Sequence, residues 1–269
     1  MKEIFAGNMS FYPDPDLPEE GSLAQGMAAP RGDTRPVYLL ADSQLLFWRE
    51  GDEHFLGSVR AQLDKPTPKA AYLGASNGDE PEFYDIFVAA MDSVSVFDTR
   101  MIPSQPSRED LAFLEEADLI LLAGGDVERG WRAFEAGGVR DVVQRRYYAG
   151  AVLIGVSAGA VQLGLVGWPA EGPTGSEDLI DTFKIVPYVV DAHAEREEWE
   201  QLSRAVRLLG ESVQGIGVPT GGGVVYHPDH SLEAVRHPCH EVAVRDGKTV
   251  RSLIFPGGSD SGGSDPGAA

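Results

Sequence analysis

The feature that most constrains this chain is a series of short runs that are apolar on consecutive residues. Pro36–Ala41, Ala70–Gly74, Val94–Asp98, Leu119–Ala123 and Ala151–Val156 are the candidate strands, and helical patterns lie between them. Side chains on a strand alternate sides, so a strand that is apolar throughout must be covered on both faces. Such runs alternating with helices predict βαβ units, hence an α/β fold with a mostly parallel sheet flanked by helices on both faces. The helices include Glu82–Met91, with Phe83, Ile86, Phe87 and Ala90 on one stripe, and Leu111–Ala117, which Ser107 and Asp110 are suited to cap. Beyond Gly210, Val-, Ile- and Tyr-rich pieces split by Gly and Pro predict later, partly antiparallel strands.

A chain of 269 residues, 42% hydrophobic, can bury one full α/β core. The expected organisation is an N-terminal arm over 1–35, a single catalytic domain over 36–256, and a flexible tail over 257–269 whose Gly, Ser and Asp have little side chain to bury. No run reaches the roughly 18 apolar residues of a membrane span, and the amino end carries Pro, Asp and Glu in place of a signal peptide's apolar core. A cytoplasmic protein with no membrane partner is therefore expected. Cys239 is the only cysteine, so no internal disulfide forms. The formal charge of −20, with 22 dispersed basic residues, argues against a nucleic-acid partner. It also means that an anionic substrate needs a local Arg or Lys to reverse the sign inside its pocket.

The sharpest local signal is Gly155-Val156-Ser157-Ala158-Gly159, placed directly after the apolar run and directly before a helix-compatible stretch, Ala160–Leu163. A nucleophile elbow needs that context: a strand, a tight turn that strains the serine backbone, and small neighbours that leave the hydroxyl exposed at a helix N-terminus. The plainer reading is a close strand–helix turn built from common small residues. For catalysis the hydroxyl needs a histidine within hydrogen-bond reach and a carboxylate to orient it.

Among the six histidines, His193 follows the strand-like run Phe183–Val190 and precedes a helix expected to begin near Ala194. It is thus placed at the carboxyl edge of a sheet, where α/β sites gather. His227, His230, His237 and His240 cluster near Cys239, but their spacing fits no zinc module, and neither a metal nor a cofactor is expected. Glu171, in the rigid loop Pro169–Pro173, is the expected acid, with Glu177 and Asp178 as competitors; Asp191 is disfavoured because it stands two residues from His193 on a strand. Gly124-Gly125-Asp126 closes another buried run and opens a helix containing Trp131 and Phe134. The N–H groups of Gly125 and Ala158 are the expected oxyanion donors.

In this order, these pieces resemble the peptidase E and cyanophycinase family of serine peptidases, over about Val37 to Phe255. The matching segments are Tyr72-Leu73-Gly74-Ala75-Ser76, Ala123-Gly124-Gly125-Asp126, Gly155–Ala160, and Val186-Pro187 running into Asp191-Ala192-His193. The resemblance implies a class I glutamine-amidotransferase-like, flavodoxin-like fold. It also implies Ser157 as nucleophile, His193 as base, Glu171 as acid, and Gly125 and Ala158 as oxyanion donors. Asp126 and Arg196 are the expected substrate contacts, Arg196 as a cation for an aspartyl dipeptide. Val127 and Ala192 stand where cyanophycinases usually carry Gln, and Arg196 sits among Glu195, Glu197 and Glu198, which argues against cyanophycin.

The expected partner is a small peptide, hydrolysed through an acyl-enzyme, with a homodimer left open as the assembly. Alternatives are a cyanophycinase-like or isopeptide hydrolase and a non-catalytic binding protein on the same scaffold. An α/β-hydrolase esterase normally has its acid and histidine farther beyond the serine, and a glutamine amidotransferase expects Cys at the elbow.

Overall fold

The structure is a computed structural model that describes residues 34–257. The expected arm and tail lie outside the described residues apart from positions 34, 35 and 257. Its centre is a seven-stranded sheet in the spatial order Leu232–Val235, Gly223–Tyr226, Val37–Leu40, Val152–Val156, Leu119–Leu122, Lys69–Leu73 and Asp98–Ile102. From Val37–Leu40 to Asp98–Ile102 all neighbours are parallel; Gly223–Tyr226 and Leu232–Val235 extend the sheet antiparallel.

The consecutive apolar residues do what their pattern demands, feeding two cores from one strand. Leu39, Leu73, Ile120 and Leu153 pack with side chains of the helices Arg108–Glu116, Val127–Ala136, Val139–Tyr148 and Ala158–Leu163. The intervening Tyr38, Leu40, Tyr72, Leu119 and Ile154 pack on the other face with the helices Phe55–Arg60 and Pro81–Asp92. Each fully buried Leu, Ile or Phe contributes about 1.5–3 kcal/mol, which makes the register of these strands hard to shift. The capping box between Ser107 and Asp110 fixes the start of the Arg108–Glu116 helix.

A second sheet of four strands follows. Val189–Ala192 runs parallel to Gln214–Val218, and Cys239–Arg245 and Lys248–Ile254 complete it antiparallel. The helix Glu200–Leu209 covers it with Leu202, Ala205 and Val206, joined by Trp199. Among the described residues, no helix is long and apolar enough to cross a membrane.

Four local expectations are corrected. The strand expected at Val94–Asp98 begins only at Asp98 and runs to Ile102; it is the outer strand of the sheet, open on one side, so its polar sequence is tolerated. The run Phe183–Val190 is mostly loop and pairs only from Val189, because Phe183 packs edge-on against Trp131, ring centroids 5.0 Å apart, over the helical layer. The helix expected from Ala194 starts at Glu200, delayed by left-handed backbone at Glu198 and Trp199. In Pro81–Asp92, Phe87 and Ala90 are buried but Phe83 and Ile86 are 52% and 36% exposed, because they overhang a cleft.

Candidate active site

Ser157 terminates the Val152–Val156 strand with φ 51° and ψ −111°, a sparsely populated conformation for a side-chain-bearing residue, and the helix Ala158–Leu163 begins immediately after it. The strain is held because the Ser157 N–H donates to the Leu40 carbonyl across the sheet at 2.8 Å.

His193 occupies the equivalent place on the other sheet. It follows Val189–Ala192, also has positive φ (48°), and is pinned by its N–H donating to Val218 O at 2.9 Å. Its Nε2 lies 2.8 Å from Ser157 Oγ. For Nε2 to accept the hydroxyl proton, Nδ1 must carry the ring proton. The pair is thus assembled from the carboxyl edges of two sheets, and it is open to solvent.

The Gly124-Gly125 turn follows the strand beside Ser157's own. Gly125 has φ 128°, and a Cβ on it would fall 2.2 Å from Ser76 O, so only glycine fits. The turn is held by Asp126 N–H donating to the same Ser76 oxygen at 2.8 Å, while the Asp126 carboxylate caps the next helix by accepting from Arg129 N at 2.7 Å. Behind it, the buried Gln162 amide donates to Ser76 Oγ at 3.1 Å and to Val127 O at 3.0 Å, tying the helix after Ser157 to the Gly-Gly turn. Among the described residues the N–H groups of Gly125 and Ala158 have no acceptor, and both residues border the cavity that Ser157 and His193 line.

The acidic candidates separate. Glu171 is exposed, and no hydrogen bond joins it to His193 among the described residues. Glu177 is exposed, and Asp178 is occupied by Thr174 and Gly175, whose hydrogen bonds hold its carboxyl below the ordinary aspartate value. Two other carboxylates lie near the histidine: Asp191, which the sequence reading disfavoured, and Glu195, which it did not consider as the acid. Asp191 lines the cleft and is buried; Oδ1 accepts from Ala192 N at 2.9 Å, Oδ2 has no partner among the described residues, and burial pushes its pKa up to about 7. Glu195 accepts from Thr220 N; among the described residues its Oε2 is buried without a partner, and no hydrogen bond joins it to His193 either. Burial alone would raise its carboxyl, but hydrogen bonds and the nearby His193 hold it below the usual glutamate range.

The cleft has two lobes that share Gly125, Arg129, Ser157 and His193. One, about 390 Å³, is lined by Leu46, Phe83, Ile86, Phe87, Leu121 and Val156 among others. The other, about 360 Å³, carries Asp126, Asp191 and Gln201 beside Trp168. Arg196 borders neither lobe; it lies with Glu197, Glu198, Arg207 and Arg251 in a separate cavity. The cation at the centre is Arg129, whose guanidinium donates to Ser76 O. Nothing in the sequence marks it, since an Arg near Glu128 on a helix reads as a surface ion pair. His227 pairs with Glu233 and Cys239 is buried, and among the described residues no group of three or more His, Cys, Asp or Glu is placed to hold a metal.

Comparison with known proteins gives the family and the fold. The sequence profile of peptidase family S51 matches residues 38–233. The chain belongs to peptidase family S51. It is a serine-type peptidase, as its peptidase E resemblance implied. An uncharacterized peptidase from Bacillus subtilis (strain 168), YgaJ, is 23% identical over 169 residues, covering 62% of this chain and 71% of that protein. The fold is similar to the crystal structure of a peptidase from an acI-B1 Actinobacterium, with TM-score 0.62 and 14% identity over 84% of this chain and 96% of that one. It is also similar to a putative peptidase E protein from Listeria monocytogenes EGD-e, with TM-score 0.50 and 13% identity over 82% of this chain and 99% of that one.

Proposed function

We propose that this S51 peptidase hydrolyses small peptides through an acyl-enzyme on Ser157. The observation that carries the reading is the 2.8 Å contact from Ser157 Oγ to His193 Nε2 at a strained strand–helix turn, beside backbone donors with no acceptor among the described residues. Ser157 Oγ attacks the scissile carbonyl as Nε2 takes its proton. The tetrahedral oxyanion is held by the N–H groups of Gly125 and Ala158, each donor of this kind being worth about 2.7–4 kcal/mol of barrier. His193 returns the proton to the departing amine, and water then repeats the sequence to release the acid.

In this reading Glu195, on the loop just after His193 and with Oε2 left without a partner among the described residues, supplies the acid of a Ser-His-Glu triad by turning to Nδ1 during turnover, whereas Glu171 lies exposed on its loop. For an aspartyl dipeptide the receiving cation is Arg129 rather than Arg196, but that guanidinium is already engaged with Ser76 O, which weakens the support for this class. The reaction fits the cytoplasm, where a lone buried thiol, Cys239, needs no oxidising partner.

Steady-state kinetics on a dipeptide and tripeptide panel test the proposal. Ser157→Ala and His193→Ala are each expected to lower kcat by about 10⁴-fold or more. Hydrolysis retained in either variant overturns it, and a wild type that binds peptides without turnover leaves a binding protein.

A further inference from the structure

We infer that the peptide residue adjacent to the scissile bond carries a large apolar side chain, seated in the lobe formed by Leu46, Phe83, Ile86, Phe87, Leu121 and Val156. The inference rests on the reading of Ser157 as the nucleophile and adds the substrate class. Ser157, His193 and Gly125 form part of the wall of this lobe, so whatever fills it is attached within one residue of the reacting carbonyl.

Three observations converge. Leu46, Phe87, Leu121 and Val156 are buried in the underlying core, while Phe83 and Ile86 are partly exposed at the rim. Both rim residues lie on the buried stripe of their helix, where core contact is expected, and both face the cleft instead. Large apolar side chains grouped at a cavity mouth mark a binding surface rather than solvent-facing decoration.

Apart from Ser43, the polar side chains of the lobe already carry hydrogen bonds within the protein. Asn77 Nδ2 donates to Tyr72 Oη at 2.7 Å, and Asn77 Oδ1 accepts from Glu80 N. Asp42 accepts from Gln44 N at 2.8 Å and from Gly221 N at 2.7 Å. Arg129 belongs to both lobes and donates to Ser76 O, which places it beside the peptide main chain at the junction. A substrate carboxylate or ammonium entering this lobe loses its water among mostly apolar walls, and the charged groups it would meet there, Arg129 and Asp42, are already engaged in hydrogen bonds, so its desolvation is poorly compensated. A leucyl or phenylalanyl side chain gains from the same mostly apolar walls, and about 390 Å³ accommodates either one.

The test is kcat/KM on peptides varied through Ala, Leu, Phe, Asp and Lys at each position flanking the cleaved bond, with binding of the same peptides to Ser157→Ala measured by calorimetry. At one of the two positions Leu and Phe are expected to exceed Ala by on the order of tenfold or more, with Asp and Lys below Ala. Phe83→Asp, at an exposed site, should shrink the Leu-to-Ala ratio toward one. Active enzyme with a flat profile, or with Asp preferred at both positions, overturns the inference and leaves the catalytic reading intact. Apolar preference in Ser157→Ala binding without any wild-type turnover does the reverse.

Discussion

Gly159 rests directly on the carbonyl of Leu122: a Cβ at position 159 would lie 2.2 Å from that oxygen and 2.7 Å from its carbon. The helix after the nucleophile is therefore docked onto the neighbouring strand through bare backbone. Gly159→Ala must push helix and strand apart, which is expected to cost about 1–3 kcal/mol of stability. It should also relax the Ser157 turn, so kcat falls further than the loss of folded protein explains. Thermal unfolding and kcat measured on the folded fraction check both effects.

Gln162 performs the same positioning task from behind. Gln162→Leu leaves Val127 O and Ser76 Oγ without their buried donor, with an expected loss of about 1–3 kcal/mol. Ser76 O holds Asp126 N, so the Gly125 turn should loosen as well and kcat should drop. Gln162→Glu offers a control: protonated at low pH it restores one of the two donated hydrogen bonds, so the kcat deficit relative to wild type should shrink in part as pH falls.

The acid member can be assigned by comparison. Glu195→Gln is expected to lower kcat by on the order of tenfold or more, and Glu171→Gln by less than about twofold. If Glu171→Gln is the costlier change, the 169–173 loop must close on His193 during turnover.

Asp191 gives a pH signature of stability. Its folded pKa, raised by burial to about 7 from an ordinary 3.8, means that the native state holds this proton over a range where the unfolded chain has lost it. The contribution is fully present below about pH 4 and disappears as pH rises through about 7, so this group's share of the stability falls across that window. Asp191→Asn keeps an oxygen for Ala192 N and removes the titration. It should match wild type near pH 4 and be more stable at pH 8, by a few kcal/mol at most. Urea unfolding of both proteins at the two pH values measures this.

The fold was legible where physics acts locally. Consecutive apolar residues at Leu119–Leu122 and Val152–Val156 demand two covered faces, and the small residues around Ser157 demand a tight turn at a strand end. The failures came where tertiary context decides. Val94–Asp98 and Phe183–Val190 are apolar because residues such as Val96 and Phe183 plug the core from loops. The stripe of Glu82–Met91 gave no sign that Phe83 and Ile86 overhang a cleft, and Arg129 carries no mark distinguishing it from a solvated helix arginine. The choice between Glu171 and Glu195 turns on which loop folds back toward the histidine, which spacing does not encode.

The central claim is that Ser157 is an activated nucleophile. Incubation with a fluorophosphonate followed by peptide mass spectrometry tests it most directly. One stoichiometric adduct is expected on the peptide containing Ser157, absent in Ser157→Ala and formed far more slowly in His193→Ala. An enzyme that hydrolyses peptides while Ser157 stays unlabelled, or that labels equally fast without His193, contradicts it.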